Sequence, residues 1–342
     1  MKKGKVNFII SLLIGIILFI ITLRYFGLES IKIIYHNINP LYFIIYFIIS
    51  CFVFIVSSWR VQSVLRAYRK KIGLWKLIKQ NIAGFAVAYV TPCVRLGGEP
   101  IKAYMMKKES GVDLKTGSSV MILDKFIEIV GTILFGLLGL AVLFLMPNIP
   151  NEAKITLIGV TIVGSIILYW VYYRTIKKQG SFSTLFILLK IYKLTKSNNF
   201  LKSIEDVEAK MHKFFMFNKK EFLISLSFYM LYMVVNIIEF KFLFLSFGVN
   251  LSVSEIIITI VVLGIVNFIP TPAALGFFEA SQSGLFSLLK DSAGVGLAFS
   301  LIVRLRNVFF TIIGFSIISH FSAEQIINKE DKTCSNRKLK NS

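Results

Sequence analysis

The chain has 342 residues, of which 56% are hydrophobic, and its mean hydropathy is +0.73. Soluble domains contain about 45–50% apolar residues, so this composition excludes an ordinary soluble globular protein. A formal net charge of +21 would favour a nucleic-acid partner in a soluble protein. Here the basic residues cluster at the ends of apolar runs, which is typical of membrane topology signals. We therefore expect a membrane protein with no nucleic-acid partner.

A membrane-spanning helix needs about 20 mainly apolar residues, and six stretches approach or exceed that length. In chain order they are Val6–Leu23, Leu41–Ser58, Gly117–Met146, Ile155–Tyr173, Phe222–Phe247 and Gly294–Phe321. The sequence thus predicts an all-α polytopic membrane protein with about six full transmembrane helices. The first stretch is longer than the apolar part of a signal peptide, and we interpret it as a retained helix.

Two further apolar segments are too short or too interrupted to cross a bilayer as single helices. Asn81–Pro92 is about half a membrane thickness long, and Glu255–Leu289 is broken at Pro270-Thr271-Pro272. We predict that each forms a re-entrant helical hairpin. With both hairpins re-entrant, most of the 39 Lys and Arg residues fall on one side. The positive-inside rule then predicts a cell-membrane protein with both termini in the cytoplasm.

We expect one transmembrane domain, 1–321, whose two halves are joined by a linker. A basic cytosolic tail follows this domain. The halves are 1–173 and 222–321, the linker is 174–221 and the tail is 322–342. The linker is too short to build its own core. Its amphipathic stretches, Phe182–Leu194 and Phe200–Phe217, are expected to lie on the anionic inner leaflet.

One spacing pattern occurs twice. A Thr-Pro pair is followed by Glu eight residues after the Thr, then by a base 26 or 25 residues later, and by Thr seven residues after the base. The first copy comprises Thr91-Pro92, Glu99, Lys125, Glu128 and Thr132, and the second comprises Thr271-Pro272, Glu279, Arg304, Asn307 and Thr311. The predicted hairpins enter from opposite sides, so the two halves are expected to be inverted repeats, with the binding site of a transporter at their breaks. The predicted break residues are Pro92, Gly97, Gly98, Pro270, Pro272 and Gly276.

Ionised side chains within a bilayer cost about 2.5–3.5 kcal/mol each on insertion scales, so they need partners or a function. Lys125 and Glu128 can pair at i, i+3 on one helix. Arg304 has no acid nearby in sequence; Glu279 is its first candidate partner, followed by Glu99 or Glu128. Two interpretations are open: structural ion pairs that lock helices together, or a headgroup or ion site between the halves. An anionic headgroup is the natural ligand class, because Arg and Lys bind phosphate well.

Other polar residues carry weaker signals. Glu239 and Lys241 do not face each other on a helix, and we expect them near the outer interface. The Cys and His residues are scattered, so we predict no metal site and no cofactor. No pairing of a nucleophile with a base is seen, so we do not expect an enzyme. These scattered residues are Cys51, Cys93, Cys334, His36, His212 and His320.

The break motifs resemble those of the lysylphosphatidylglycerol synthase transmembrane-region family, also called the flippase-like domain family, over roughly 5–320. The residues that carry the resemblance are Thr91-Pro92-x-x-Arg95-Leu96-Gly97-Gly98-Glu99-Pro100-x-Lys102-Ala103-Tyr104, Asp124-Lys125-x-x-Glu128, Pro270-Thr271-Pro272-Ala273-Ala274-Leu275-Gly276-x-x-Glu279-Ala280 and Arg304. The resemblance implies a multi-pass domain that, in bifunctional synthases, translocates aminoacylated phospholipid. Related domains accompany archaeal polyisoprenoid-linked glycosyltransferases. The family often has Arg where this chain has Phe278 and Lys125, and no cytosolic synthase domain is expected after residue 321.

The leading interpretation is a lipid translocase that moves an amphiphile with an anionic, zwitterionic or polyisoprenoid-linked headgroup between leaflets. Its expected substrate-binding residues are Glu99, Arg95, Lys125, Glu128, Glu279 and Arg304. One alternative is a membrane-embedded enzyme acting on lipid-linked phosphate, with Glu99 or Glu279 as the base. Another is a non-transporting subunit that anchors a partner enzyme through 174–221. The sequence also leaves open whether the chain forms a homo-oligomer.

Overall fold

The computed structural model describes residues 38–91, 97–144, 151–176, 198–267, 271–290 and 292–340, with isolated positions between 16 and 33 and at 146 and 269. The described residues form α-helices joined by short connections, without strands. The helices are α1 (Pro40–Ala67), α2 (Leu74–Val90), α3 (Glu99–Ser110), α4 (Leu114–Phe144), α5 (Asn151–Ile176), α6 (Asn198–Phe217), α7 (Lys219–Ser246), α8 (Val253–Val266), α9 (Phe277–Lys290) and α10 (Ala293–Lys340).

Four helices in the described part of the chain are long and apolar enough to cross a membrane. They are Pro40–Ala67, Leu114–Phe144, Lys219–Ser246 and Ala293–Ala323. These four coincide with predicted spans, and α5 covers a fifth predicted stretch as one helix. The prediction Val6–Leu23 lies largely outside the described residues. The chain is thus a multi-pass helical membrane protein, and the count of six crossings stays a prediction.

Helix α10 runs on through Lys340, so most of the predicted tail continues the last helix.

Both predicted helix breaks are present. Helix α2 ends at Val90 and α3 begins at Glu99, whereas α8 ends at Val266 and α9 begins at Phe277. Between the latter two lies a 3₁₀ turn, Pro272–Ala274, with left-handed backbone at Ala273 and Ala274 (φ 53° and 50°). Such conformations cost an alanine about 1–2 kcal/mol each, and strained backbone of this kind clusters at functional sites. Pro92 and Pro270 lie outside the described residues.

The first hairpin closes by direct backbone contact. A Cβ atom added to Gly98 would lie 2.0 Å from the carbonyl oxygen of Gly84, and one added to Gly97 would lie 2.1 Å from Thr91 Oγ1. Only glycine therefore lets the start of α3 return onto α2. In the second hairpin, Gly276 adopts φ 75°, which glycine reaches without strain. The predicted break glycines thus have definite geometric roles.

Helices α1 and α7 form the antiparallel centre of the structure. Ser50 near the middle of α1 contacts Glu239, whereas Arg60 further along contacts the Tyr229 ring, earlier in α7. The amide of Asn39 also donates to the carbonyl of Ser246 at 2.8 Å. Around this pair, α10 packs on α2, and α4 packs on α8. Helices α10 and α4 therefore each lie against a hairpin helix of the other half of the chain.

The linker prediction Phe200–Phe217 corresponds to α6, whose buried apolar face packs against protein. Met211 and Phe214 are 0% and 1% exposed, and Phe215 stacks edge-on to Phe126 of α4. That buried face is therefore covered by the core, which leaves Met216 and Phe217 as its exposed apolar end. The stretch Phe182–Leu194 lies outside the described residues.

Acid is expected to loosen α6. The hydrogen bond from Lys115 and its charge lower the pKa of Asp206, and the hydrogen bond with Thr116, helped by Lys210, lowers that of Asp113. A lowered folded-state pKa adds stability that is present above about pH 4 and is lost as the pH falls through the folded value. Hydrogen exchange of the α6 amides, corrected for intrinsic rates, should accelerate below about pH 4. Lys115→Gln should weaken this response, and an identical response would contradict it.

Candidate functional site

The first cluster of charges joins α1 to α4. The Arg60 guanidinium donates to both carboxylate oxygens of Asp124, at 2.7 and 2.9 Å, and lies 3.5 Å from Glu128. Glu128 also accepts from Lys125 Nζ at 2.9 Å, which confirms the predicted i, i+3 pair. Arg60 and Asp124 are 6% and 1% exposed. Two-pronged Arg–carboxylate pairs are the strong ion pairs of proteins, and this one binds two long helices together.

Sequence reasoning missed Arg60, because the predicted span Leu41–Ser58 ended two residues before it. The structure shows instead that α1 continues for seven residues beyond it, because Val61, Val64 and Leu65 repeat at helical spacing and are buried. Asp124 was the signal that could have found it, since a buried acid in an apolar helix requires a base from elsewhere.

Glu99 pairs within its own helix. Its carboxylate lies 2.7 Å from Lys102 Nζ, and the Lys102 stem packs on Gly84 of α2. Glu99, predicted from the sequence as a second-choice partner of Arg304, therefore pairs with Lys102 instead. Arg95, the remaining predicted residue of this half, lies outside the described residues.

Glu279 and Arg304 form the second cluster, as predicted. Glu279 accepts from both Nε and Nη2 of Arg304, the latter at 2.8 Å, and from the amide of Gly276 at 2.9 Å. Arg304 Nη1 donates to the carbonyl of the strained Ala273 at 3.3 Å. One ion pair thus holds the second break against α10.

The two breaks meet at a narrow pocket. The end of α2 contributes Tyr89 and Thr91, and the second break contributes Asn267, Thr271 and Ala273. Its volume is about 10 Å³, room for roughly one water molecule. Thr271 Oγ1 is buried there without a hydrogen-bond partner among the described residues. Tyr89 also interacts with Arg304, so both halves contribute to this point.

Residues 8–314 match the model of the family described as Lysylphosphatidylglycerol synthase TM region. The chain belongs to this family. Three archaeal UPF0104 membrane proteins are similar along nearly their whole length. Identity is 21% with that of Methanothermobacter thermautotrophicus (94% of this chain, 98% of the relative), 23% with that of Pyrococcus horikoshii (86% and 91%) and 25% with that of Methanocaldococcus jannaschii (92% and 95%). No solved structure matches the chain.

The chain departs from the pattern of the lysylphosphatidylglycerol synthase TM-region family at Phe278 and Lys125, and the structure shows which residues surround each of them. Phe278 is 4% exposed, and its ring centre lies 6.0 Å from the Arg304 guanidinium carbon, close enough for a cation–π contact. Lys125 keeps a positive charge beside Glu128. The Lys125–Glu128 and Arg304–Glu279 pairs belong to separate clusters, and Arg304 contacts the pocket rim at the carbonyl of Ala273.

A third charge cluster forms around Glu239. That residue is 0% exposed, and it accepts from Ser50 Oγ of α1 and Nη1 of Arg306 of α10. Lys241 points elsewhere, to Asn250 at 2.6 Å. Glu239 lies on the α7 face that packs against α1, and its expected position near the outer interface stays a prediction. Arg306, two residues from Arg304 and hence on another face of α10, signalled the need for a second acid.

Proposed function

We propose that this protein is a lipid translocase, which moves an amphiphile with a charged headgroup between leaflets without a chemical reaction. The observation that carries the proposal is the meeting of the two helix breaks at one pocket, with the Arg304–Glu279 pair at its rim. Broken helices in corresponding positions of two halves typically form a transporter's binding site. Non-helical backbone is tolerated at membrane depth where it lines protein or a watery cavity.

An inverted repeat is part of this proposal. Lys125 and Arg304, Glu128 and Asn307, and Thr132 and Thr311 are each 179 residues apart. The same interval separates Arg60 from Glu239, which lie seven residues before the ends of α1 and α7. Inverted repeats are related by a two-fold axis that lies in the membrane plane. The antiparallel packing of α1 on α7 agrees with such an axis. In this arrangement both termini are cytoplasmic and the hairpins enter from opposite sides.

The headgroup would pass through the pocket while the acyl or isoprenoid chains remain in the bilayer. A space for one water molecule cannot hold a headgroup, so the two breaks must separate during transport. A phosphate arriving there can replace the Glu279 carboxylate on Arg304, because both anions accept two parallel N–H bonds. An anionic or zwitterionic headgroup satisfies this exchange.

The test compares Glu279→Gln, Arg304→Gln and the exchanged pair Glu279→Arg with Arg304→Glu in proteoliposomes. A fluorescent phospholipid that becomes accessible to an external quencher reports translocation. We expect each single variant to slow translocation at least about tenfold, equivalent to 1.4 kcal/mol. The exchanged pair restores an ion pair, so it should be more thermally stable than either single variant. Its translocation should stay slow, because its arginine no longer lies on α10.

Lys290→Gln is the matched control, since Lys290 and Glu255 form an ion pair at 2.8 Å between the far ends of α9 and α8. It should translocate lipid as the wild type does. Wild-type rates in the folded Glu279→Gln and Arg304→Gln variants would contradict the proposed site. Absence of translocation by the wild type with every phospholipid tried would contradict the function.

A further inference from the structure

Six aromatic rings form a continuous row beside the pocket, and α1, α2 and α10 contribute two rings each. Tyr89, at the pocket, stacks on Phe85 with 5.9 Å between ring centres, and Phe85 lies edge-on to Phe54 at 5.7 Å. Phe54 contacts Phe310 at 4.8 Å, and Phe310 contacts two further rings at 6.0 and 5.6 Å. The members of this aromatic row, in order from the pocket, are Tyr89, Phe85, Phe54, Phe310, Phe47 and Phe309.

The two ends of the aromatic row lie in different surroundings. At one end, Tyr89 is buried, lines the pocket and interacts with Arg304. At the other end, Phe309 is 44% exposed and shares a face of α10 with the exposed Leu305 and Ile312. Three of the four rings between these ends are half-buried. The row therefore connects a charged pocket to an apolar surface that lipid covers in a membrane.

This arrangement matches the two parts of a lipid that carries a phosphate. The phosphate and the hydrocarbon chain of such a lipid are only a few bonds apart, so a site for both needs a cation and an apolar surface side by side. Tyr89 lies at that boundary, because its side chain interacts with Arg304 while its ring stacks on Phe85. Tyrosine is typical of positions where one end of the side chain is in apolar and the other in polar surroundings.

The aromatic row is closed on one side by contact between α2 and α10. A Cβ atom added to Gly314 would lie 2.6 Å from the carbonyl oxygen of Ile82 and 2.5 Å from the Cβ atom of Ala86. No chain can leave between the two helices at that level. The exposed end of the row at Phe309 is open instead.

We propose that the aromatic row binds the first part of the hydrocarbon chain of the translocated lipid, an inference that rests on the proposed function. With the phosphate at Arg304, the chain lies along Phe85 and Phe54 and reaches the bilayer at Phe309. The occupant is a chain of the same molecule whose headgroup is in the pocket, because the row and the pocket are continuous at Tyr89. Lipid tails are as apolar as the row, so the chain gains little free energy by moving there. The row instead fixes the direction in which the chain leaves the pocket.

Photo-cross-linking of the full chain in proteoliposomes tests the path of the hydrocarbon chain independently of transport. The probes are phosphatidylglycerol and a polyprenyl phosphate, each with a diazirine either next to the phosphate or further along the chain. The first position should label α2 around Phe85, and the second should label α10 around Phe309. The ratio of the two labels should change at least about threefold between the positions, because one aromatic contact is worth about 0.5–1.5 kcal/mol. A change with only one of the two lipids identifies the kind of chain that the row accepts.

Three variants assign the labelling pattern to the site. Arg304→Gln removes the cation that anchors the phosphate, and Phe54→Leu with Phe85→Leu removes two rings but keeps an apolar surface, so both should lose the dependence on diazirine position. Phe144→Leu is the matched control, because Phe144 is exposed at the end of α4, outside the row, and its labelling should equal that of the wild type. If the double variant does not fold, the comparison of the wild type with Arg304→Gln still decides.

Equal labelling from both diazirine positions in the wild type, or a dependence on position that persists in Arg304→Gln or in the folded double variant, would overturn the proposal. Labelling that depends on position in a wild type that moves no lipid would contradict the proposed function and leave the chain site in place.

Discussion

Arg60→Ala is expected to lower the free energy of unfolding by about 3–5 kcal/mol, the usual cost of removing one partner of a buried ion pair. Asp124 is 1% exposed and has both oxygens on Arg60, so the substitution leaves a buried carboxylate without its cation. Glu128 also loses a neighbour, although Lys125 remains bound to it. Thermal unfolding of the purified protein in detergent should show a loss of several degrees or more.

Two controls separate the ion pair from other effects of this change. Arg66→Ala removes an exposed arginine from the same helix, and its unfolding temperature should be close to that of the wild type. The double variant Arg60→Met with Asp124→Leu replaces both charges by apolar groups and should recover most of the loss. An Arg60→Ala protein as stable as Arg66→Ala would show that Asp124 is not ionised or is compensated otherwise.

Gly98→Ala is expected to destabilise the first hairpin by at least about 1–3 kcal/mol, the range for overpacked cores. The new methyl group would lie 2.0 Å from the carbonyl oxygen of Gly84, and a backbone oxygen cannot rotate away as a side chain can. Helix α3 must then move off α2, which also displaces Lys102 from its contact with Gly84. Thermal unfolding and protease sensitivity of the α2–α3 connection measure the effect.

Gly284→Ala is the matched control, because Gly284 lies within α9 with nothing within 4 Å of its added Cβ. Alanine there should be neutral or stabilising by about 0.5–1 kcal/mol, since it favours helix more than glycine does. Equal stability of Gly98→Ala and Gly284→Ala would show that the hairpin backbones are not in contact.

The sequence alone determined the class of the protein and the places of its two helix breaks. Apolar stretches of about 20 residues predicted α1, α4, α7 and α10, because the bilayer fixes the length of a span. Prolines and glycines predicted both breaks, since these residues restrict the backbone locally. The sequence also identified Glu279 as the first candidate partner of Arg304, because the second copy of the pattern carries this acid 25 residues before the base.

Only the tertiary structure decided the other two buried Arg–carboxylate pairs. Arg60 and Asp124 are 64 residues apart, and Glu239 and Arg306 are 67 apart, so no local pattern couples them. Their pairing depends on which faces of α1, α4, α7 and α10 pack together, and that is set by the summed side-chain contacts of the core. The meeting of the two breaks at one pocket is decided in the same way. Hydropathy reports that a segment prefers lipid, but the direction of each charged side chain follows from the packing of whole helices.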